Sequence, residues 1–315
     1  AADGLHELIN HVKLKTSIIH SLMIGERLLK DLQGLNDEII SVQLSDSVST
    51  ALQTLKQHSI RVIGVKDADG DFEGLVTVFD IMAYISFGCF DAEKVDIKRA
   101  KEELEKPIST MFGQTHDETK KLWCFEESTK LSEVTHTMSA NHIHYAIVEA
   151  EDHSFRLLSQ YDLVQFLLAS ENKEELKFAQ KSLQELGLIN PAGSPVRVSV
   201  ESTQTALYAF RLMELTSHSS VPLVDPNTKG VISTMSASHL REIDTENLDL
   251  VMKPATRFLE SIHALEPPVT CRESATVIEV LEKLVANNHR HMWVVDEKFQ
   301  FVASVSFSDI LKLVA

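Results

Sequence analysis

A short pattern recurs along this chain: apolar residues at strand spacing, then Ser or Thr, two further residues, and Asp. It reads GLVTVFDI at 74–81, RLLSQYDL at 156–163 and ASVSFSDI at 303–310, with a degraded copy, GVISTMSA, at 230–237. Aligned in this way, the last polar position falls on Asp80, Asp162, Ser236 and Asp309, in steps of 82, 74 and 73 residues. One supersecondary unit is thus used four times. A unit this short leaves an apolar face in water unless it packs on a neighbour.

What precedes each copy is equally regular. Amphipathic stretches lie at 47–60, 130–143, 203–218 and 276–289, with apolar residues at the three-to-four spacing of a helix that buries one face. Strand-like runs follow at 61–67, 144–150, 219–225 and 290–296. Polar turns such as Asp69-Gly70 then lead to the motif strand, which runs into a last helix. The predicted unit is strand, helix, strand, strand, helix.

This arrangement resembles the cystathionine beta-synthase-type (CBS) domain over nearly the whole chain. The resemblance implies an α/β fold of four CBS repeats forming two paired modules with pseudo-two-fold symmetry. The expected division is an N-terminal helical segment at 1–35, repeat one at 36–90, and a connector helix with repeat two at 91–172. A linker helix between modules follows at 173–194, then repeat three at 195–245 and repeat four at 246–315. Within these, the helical stretch runs around Val12 to Leu32, the charged connector at 91–106 stops at Pro107, and the break between modules falls near 186–195.

A carboxylate at a helix start, just past a strand end, can accept both hydroxyls of a ribose, and a hydroxyl three residues earlier can reach phosphate or ribose. The same Asp can equally do no more than cap the helix. A second position bears on this choice. Arg61, His144 and Arg290 stand at the start of the preceding strand in the three copies that keep the Asp, whereas the degraded copy has Ser219 there.

The C-terminal quarter resembles the gamma regulatory subunits of AMP-activated and SNF1-type protein kinases, through NLDL at 247–250, Arg290-His291, WVVD at 293–296 and SFSDIL at 306–311. The resemblance implies phosphate contacts from Arg290 and His291, phosphate or ribose contacts from Ser306 and Ser308, and a ribose contact from Asp309. Arg61, Thr77 and Asp80 match the first gamma repeat in the same manner, and His144, Ser159 and Asp162 are the counterparts in repeat two. Adenine nucleotides (AMP, ADP or ATP) are the implied ligands, in clefts between paired repeats, with no cofactor required. The implied partners are a kinase catalytic subunit and a bridging subunit, or another signalling protein, with a homodimer as a further arrangement.

Departures from that family are also legible. The usual His-Arg of repeat two is His144-Tyr145 here, and the order Arg290-His291 is inverted. The phosphate shell is therefore thinner. The clefts of Asp309 and Asp80 are expected to fill before that of Asp162, and the cleft of Ser236 is expected to hold no ribose.

Charge and composition exclude other classes. A net charge of −16, from 30 Lys and Arg against 46 Asp and Glu, with no basic run, argues against nucleic acid. It does not exclude a mononucleotide, because a few local cations can hold phosphates against an unfavourable global field. No apolar run approaches the roughly 20 residues of a membrane helix, and no signal pattern opens the chain. The three cysteines lack a CxxC pair and imply reduced thiols, hence a cytoplasmic or nuclear setting.

Enzyme motifs are missing: no GxGxxG, GK[ST], GxSxG or HExxH occurs. Asp67, Asp69 and Asp71 imitate the start of a calcium loop, but Phe72 and Val78 stand where Gly and Glu are needed, which leaves a hairpin turn. His142 with His144, and His289 with His291, alternate as on one strand face, yet lack further ligands at metal spacing. The expected function is a non-catalytic, nucleotide-binding regulator. The alternative is a nucleotide-independent scaffold acting on a kinase or phosphatase, in which the three Asp residues are only caps.

Overall fold

The computed structural model describes residues 25–32, 34–35, 38–89, 96–113, 121–169, 176–189 and 198–314. They form four three-stranded sheets of one design, in which the first strand runs parallel to the second and the second pairs antiparallel with the third. In repeat one, β1 (Ser41–Gln43) is followed by the helix Val48–Gln57, then β2 (Val62–Lys66), β3 (Phe72–Thr77) and the helix Val78–Ala83. Repeat two has β4 (Cys124–Glu126), the helix Leu131–Ala140, β5 (Tyr145–Glu149), β6 (Phe155–Ser159) and the helix Gln160–Leu168. Repeat three has β7 (Val200–Glu201), the helix Ala206–Leu215, β8 (Ser220–Val224), β9 (Val231–Ser236) and a 3-10 helix at Ala237–Glu242. Repeat four has β10 (Thr270–Cys271), the helix Val277–Ala286, β11 (His291–Val295), β12 (Phe301–Ser306) and the helix Phe307–Leu311. The predicted order of elements holds in all four.

Local chemistry explains the helix boundaries. Ser47, Thr205 and Thr276 accept from the backbone three residues on and so start the first helix of their repeats. Each such helix ends on a left-handed residue: Ser59, His142, Ser217 or Asn288, with φ of 53°, 55°, 53° and 52°. The next amide donates back to the carbonyl five residues earlier, as Ile60 to Leu55 and His289 to Leu284, both 2.9–3.0 Å, which is a Schellman stop. His142 and His289 therefore precede their strands. The expectation that they share a strand face with His144 and His291 is corrected, because β5 begins at Tyr145 and β11 at His291.

Two kinds of interface close the molecule. Sheets of consecutive repeats meet through small apolar clusters: Val62, Leu75, Tyr145 and Ile147 between repeats one and two, and Val224, Val231, Trp293 and Val295 between repeats three and four. Trp293 Nε1 donates to Thr234 Oγ1 at 2.7 Å across the second of these. The two large cores join the repeats differently. One merges the helices of repeats one and three, through residues such as Leu52, Ile81, Phe210 and Leu240, and the other merges repeats two and four, through Met138, Leu163, Leu281 and Ile310.

The connecting segments act as straps. Pro107 bridges Ser47, Leu28 bridges Lys130, Pro254 bridges Thr205, and Ser182 bridges Thr276, so every repeat is clamped at the start of its first helix. Residues 25–32 precede repeat one in the chain but lie on repeat two, with Leu29 and Leu32 buried in its core. The predicted N-terminal helical stretch lies mostly outside the described residues; its described end is a 3-10 turn at Leu29–Asp31. The connector helix is present as Ile97–Leu104, capped by Asp96, and buries Ala100 and Leu104. The predicted linker helix at 173–194 is corrected within its described part. Lys177–Gln180 is a 3-10 turn, and Phe178, which an α-helix would turn away from Leu176, Ala179 and Leu183, is buried with them in the core of repeats two and four.

Candidate functional site

The motif residues build the same turn each time. Asp80 Oδ2 accepts from the Thr77 amide at 2.7 Å, Asp162 Oδ2 from Ser159 at 2.7 Å, and Asp309 Oδ2 from Ser306 at 2.9 Å. The same oxygens accept from the Ser or Thr hydroxyls, and the Asp amides donate back to those hydroxyls. These are complete capping boxes at strand-to-helix corners. For Asp309 and Asp162, Oδ1 has no hydrogen-bond partner among the described residues. The capping role is real, and it leaves one carboxylate oxygen available.

Repeat three shifts the expected alignment by three residues. Its corner is Ser236, which ends β9 as Ser306 ends β12, and the Ser236 amide donates to His239 Nδ1 at 3.2 Å. His239, not Ser236, therefore takes the place of the Asp. The slip arose because the polar run in β9, Ser233-Thr234, imitates the motif Ser/Thr one turn early. Burial, then repulsion from His289, Arg241 and Arg61, lowers His239 to about 4, so its ring is neutral and can accept from the amide.

All four repeats converge on one cavity of about 530 Å³. Arg61, Thr77, Asp80, His144, Arg290, His291, Ser306, Ser308 and Asp309 line it; Ser159 and Asp162 do not, and repeat two contributes Gln160 and Tyr145 instead. Gln160 links the repeats, because its Oε1 accepts from Ser308 Oγ at 3.0 Å while its Nε2 donates to the Ile143 carbonyl at 2.9 Å. His142, His218 and His289 also reach the wall as the left-handed or stop residues of the first helices; the sequence pattern marked His142 and His289 only as alternating pairs with His144 and His291, and did not mark His218.

The cationic residues come from separate repeats. Arg61 Nη2 donates to the Asn288 carbonyl at 3.0 Å, and burial followed by the nearby Arg290 charge lowers Arg61 to about 10. Arg290 Nη2 donates to the Tyr145 hydroxyl, and its guanidinium carbon stands 4.8 Å from the Tyr145 ring centroid. His291 is pushed down to about 3, by burial first and then by His218, His144, Arg290 and His289. No group of three or more His, Cys, Asp or Glu side chains among the described residues is placed to hold a metal ion. No helix among them is long and apolar enough to cross a membrane.

Four like sheets, four capped or pseudo-capped corners and one shared cavity define a tandem-repeat architecture. The CBS domain family model matches residues 29–87 and 260–315, the first and fourth units, and the second and third units repeat the same sheet order. Among characterised proteins it is similar to two from Arabidopsis thaliana, the SNF1-related protein kinase regulatory subunits gamma-like PV42a and PV42b. It is 22% identical to the first over 93% of this chain and 96% of that protein, and 22% identical to the second over 91% and 94%. The fold matches the crystal structure of a Methanocaldococcus jannaschii protein described as a candidate archaeal homologue of g-AMPK. The TM-score is 0.69 at 15% identity, over 89% of this chain and 97% of that one.

Proposed function

We propose that this chain is a non-catalytic regulatory protein that binds an adenine nucleotide in the central cavity and couples its occupancy to a protein kinase. The observation that carries the reading is the convergence of Arg61 and Arg290 with Asp80 and Asp309 around a single cavity. Guanidinium groups supply phosphate contacts, and a carboxylate at a helix start supplies the contact to ribose hydroxyls. Kinase coupling is supported by the gamma-like character of the relatives, which match along nearly their whole length. AMP, ADP and ATP would compete there, and any regulatory effect must equal their difference in affinity for two states of the protein.

The scaffold reading draws on a different observation: the capping boxes of Asp80, Asp162 and Asp309 are complete without a ligand. Phe87, Tyr208 and Leu215 are also 46%, 46% and 73% exposed, apolar surface of the kind a binding partner covers. Comparing two variants separates the readings. Asp309→Ala and Asp162→Ala both remove a capping box and should each lower stability by about 1 kcal/mol. Only Asp309 lines the cavity, so only its variant should weaken AMP in a calorimetric titration, by about 1.5–3 kcal/mol. Absence of nucleotide binding in the parent chain, or equal weakening in both variants, would reject the cavity assignment.

A further inference from the structure

We propose that Tyr145 limits the anionic capacity of the central cavity to a single phosphate, so that the site selects a nucleoside monophosphate over the triphosphate. The inference rests on the nucleotide-binding reading above and adds the class of ligand and the residue that decides it.

Neither Arg61 nor Arg290 pairs with a carboxylate among the described residues; each is held by a neutral oxygen, the Asn288 carbonyl in one case and the Tyr145 hydroxyl in the other. Two uncompensated guanidinium groups in a recessed site call for an anion. Tyr145 restricts what Arg290 can offer it. Its hydroxyl engages one Nη donor, and its ring lies 4.8 Å from the guanidinium carbon, along the contact a cation makes with an aromatic face. Tyr145 cannot readily step aside, being 7% exposed and packed with Val62, Leu75 and Ile147 between the sheets of repeats one and two.

The charges on the wall lead to the same limit. Arg61, Arg290 and Lys312 are its cations, and Asp80 and Asp309 its carboxylates. A phosphate monoester carries about two negative charges near neutrality, which the two guanidinium groups balance. A triphosphate brings a charge larger than the guanidinium groups and Lys312 together supply, and it faces two acidic side chains; an unpaired charge in a recessed site is strongly disfavoured. The histidines on the wall do not all make up the deficit: His289 is lowered and His291 is pushed down to about 3, chiefly by burial, which keeps His291 uncharged at physiological pH.

The test is calorimetric titration of the full chain and its Tyr145→Phe variant with AMP and with ATP, each with and without magnesium, beside thermal melts. The parent chain should bind AMP at least tenfold more tightly than ATP. Tyr145→Phe keeps the ring in its core and frees the Arg290 donor, so the AMP-to-ATP affinity ratio should narrow threefold or more while the melting temperature stays near that of the parent. Comparable affinities in the parent, or an unchanged ratio in a variant that still binds, would overturn this assignment and leave the nucleotide reading standing. Failure of the parent chain to bind either nucleotide would overturn both.

Discussion

His239 holds in repeat three the position that Asp80, Asp162 and Asp309 hold in the others, and its chemistry differs in one respect that can be measured. A carboxylate accepts the corner amide at any pH above its own titration range, whereas an imidazole accepts only while neutral. Within the fold His239 is lowered from 6.5 to about 4 and His291 to about 3, so both bind protons more readily in the unfolded chain. Their stabilising contribution is therefore full above pH 6.5 and declines as pH falls from there, toward 4 for His239 and toward 3 for His291. At about 1.4 kcal/mol per pKa unit the combined loss is on the order of several kcal/mol. The urea midpoint should drop between pH 7.5 and pH 5, and His239→Gln, which keeps an acceptor but cannot charge, should flatten the profile. An equally steep profile in that variant would assign the effect elsewhere. At this scale Arg61, Asp80, Arg290 and Asp309 were legible from residue type and spacing. His239 was not, because Ser233-Thr234 offers a competing match in the same strand.

The hairpins show how one element pattern absorbs different residues. Gly64 in β2 pairs with Leu75 of β3, and the matching register positions in repeats two and four are Ile147 and Trp293. Both larger residues pack between sheets, while at Gly64 the ring of Phe72 takes the space: an added Cβ would lie 2.5 Å from Phe72 Cε1 and 3.1 Å from Ile39 Cγ2. Phe72 also meets Phe155 of repeat two edge-on, with centroids 6.1 Å apart. Gly64→Ala should therefore displace Phe72 and destabilise the chain by about 1–3 kcal/mol. Adding Phe72→Leu should recover part of the loss in a double-mutant cycle of urea midpoints, and strict additivity would show that the two positions do not compete for space. The predicted strands and hairpin turns were readable because period-two and three-to-four spacings reflect burial directly. The 3-10 turn at Lys177–Gln180 was not, since its apolar residues are placed by a distant core rather than by a local helical face.

At the scale of the whole molecule, the described residues of consecutive repeats meet through small sheet-to-sheet clusters, and the large cores run between repeats one and three and between two and four. Neither module has a complete interior of its own. Residues 1–172 expressed alone would leave the repeat-one residues Leu52 and Ile81 and the repeat-two residues Met138 and Leu163 without the partners that bury them. Surface of that kind drives association, so the half-chain should elute in light-scattering chromatography as a dimer or larger species. A monomeric half-chain with a cooperative unfolding transition would contradict the division of the core.

Four copies of one strand–helix–strand–strand–helix unit, and the acidic corners and basic strand starts of three of them, follow from the sequence alone, because each depends on residues close together in the chain. Which repeats share a core, which segment straps which repeat, and which corners reach the cavity do not. Leu28 clamps Lys130 across more than one hundred residues, and Tyr145 meets Arg290 across 145. Asp309 lines the cavity while Asp162, in the same local motif, does not. Local sequence sets the conformation of each corner. Only packing among four similar units decides which of them face one another, since their apolar faces are alike in pattern and differ in shape.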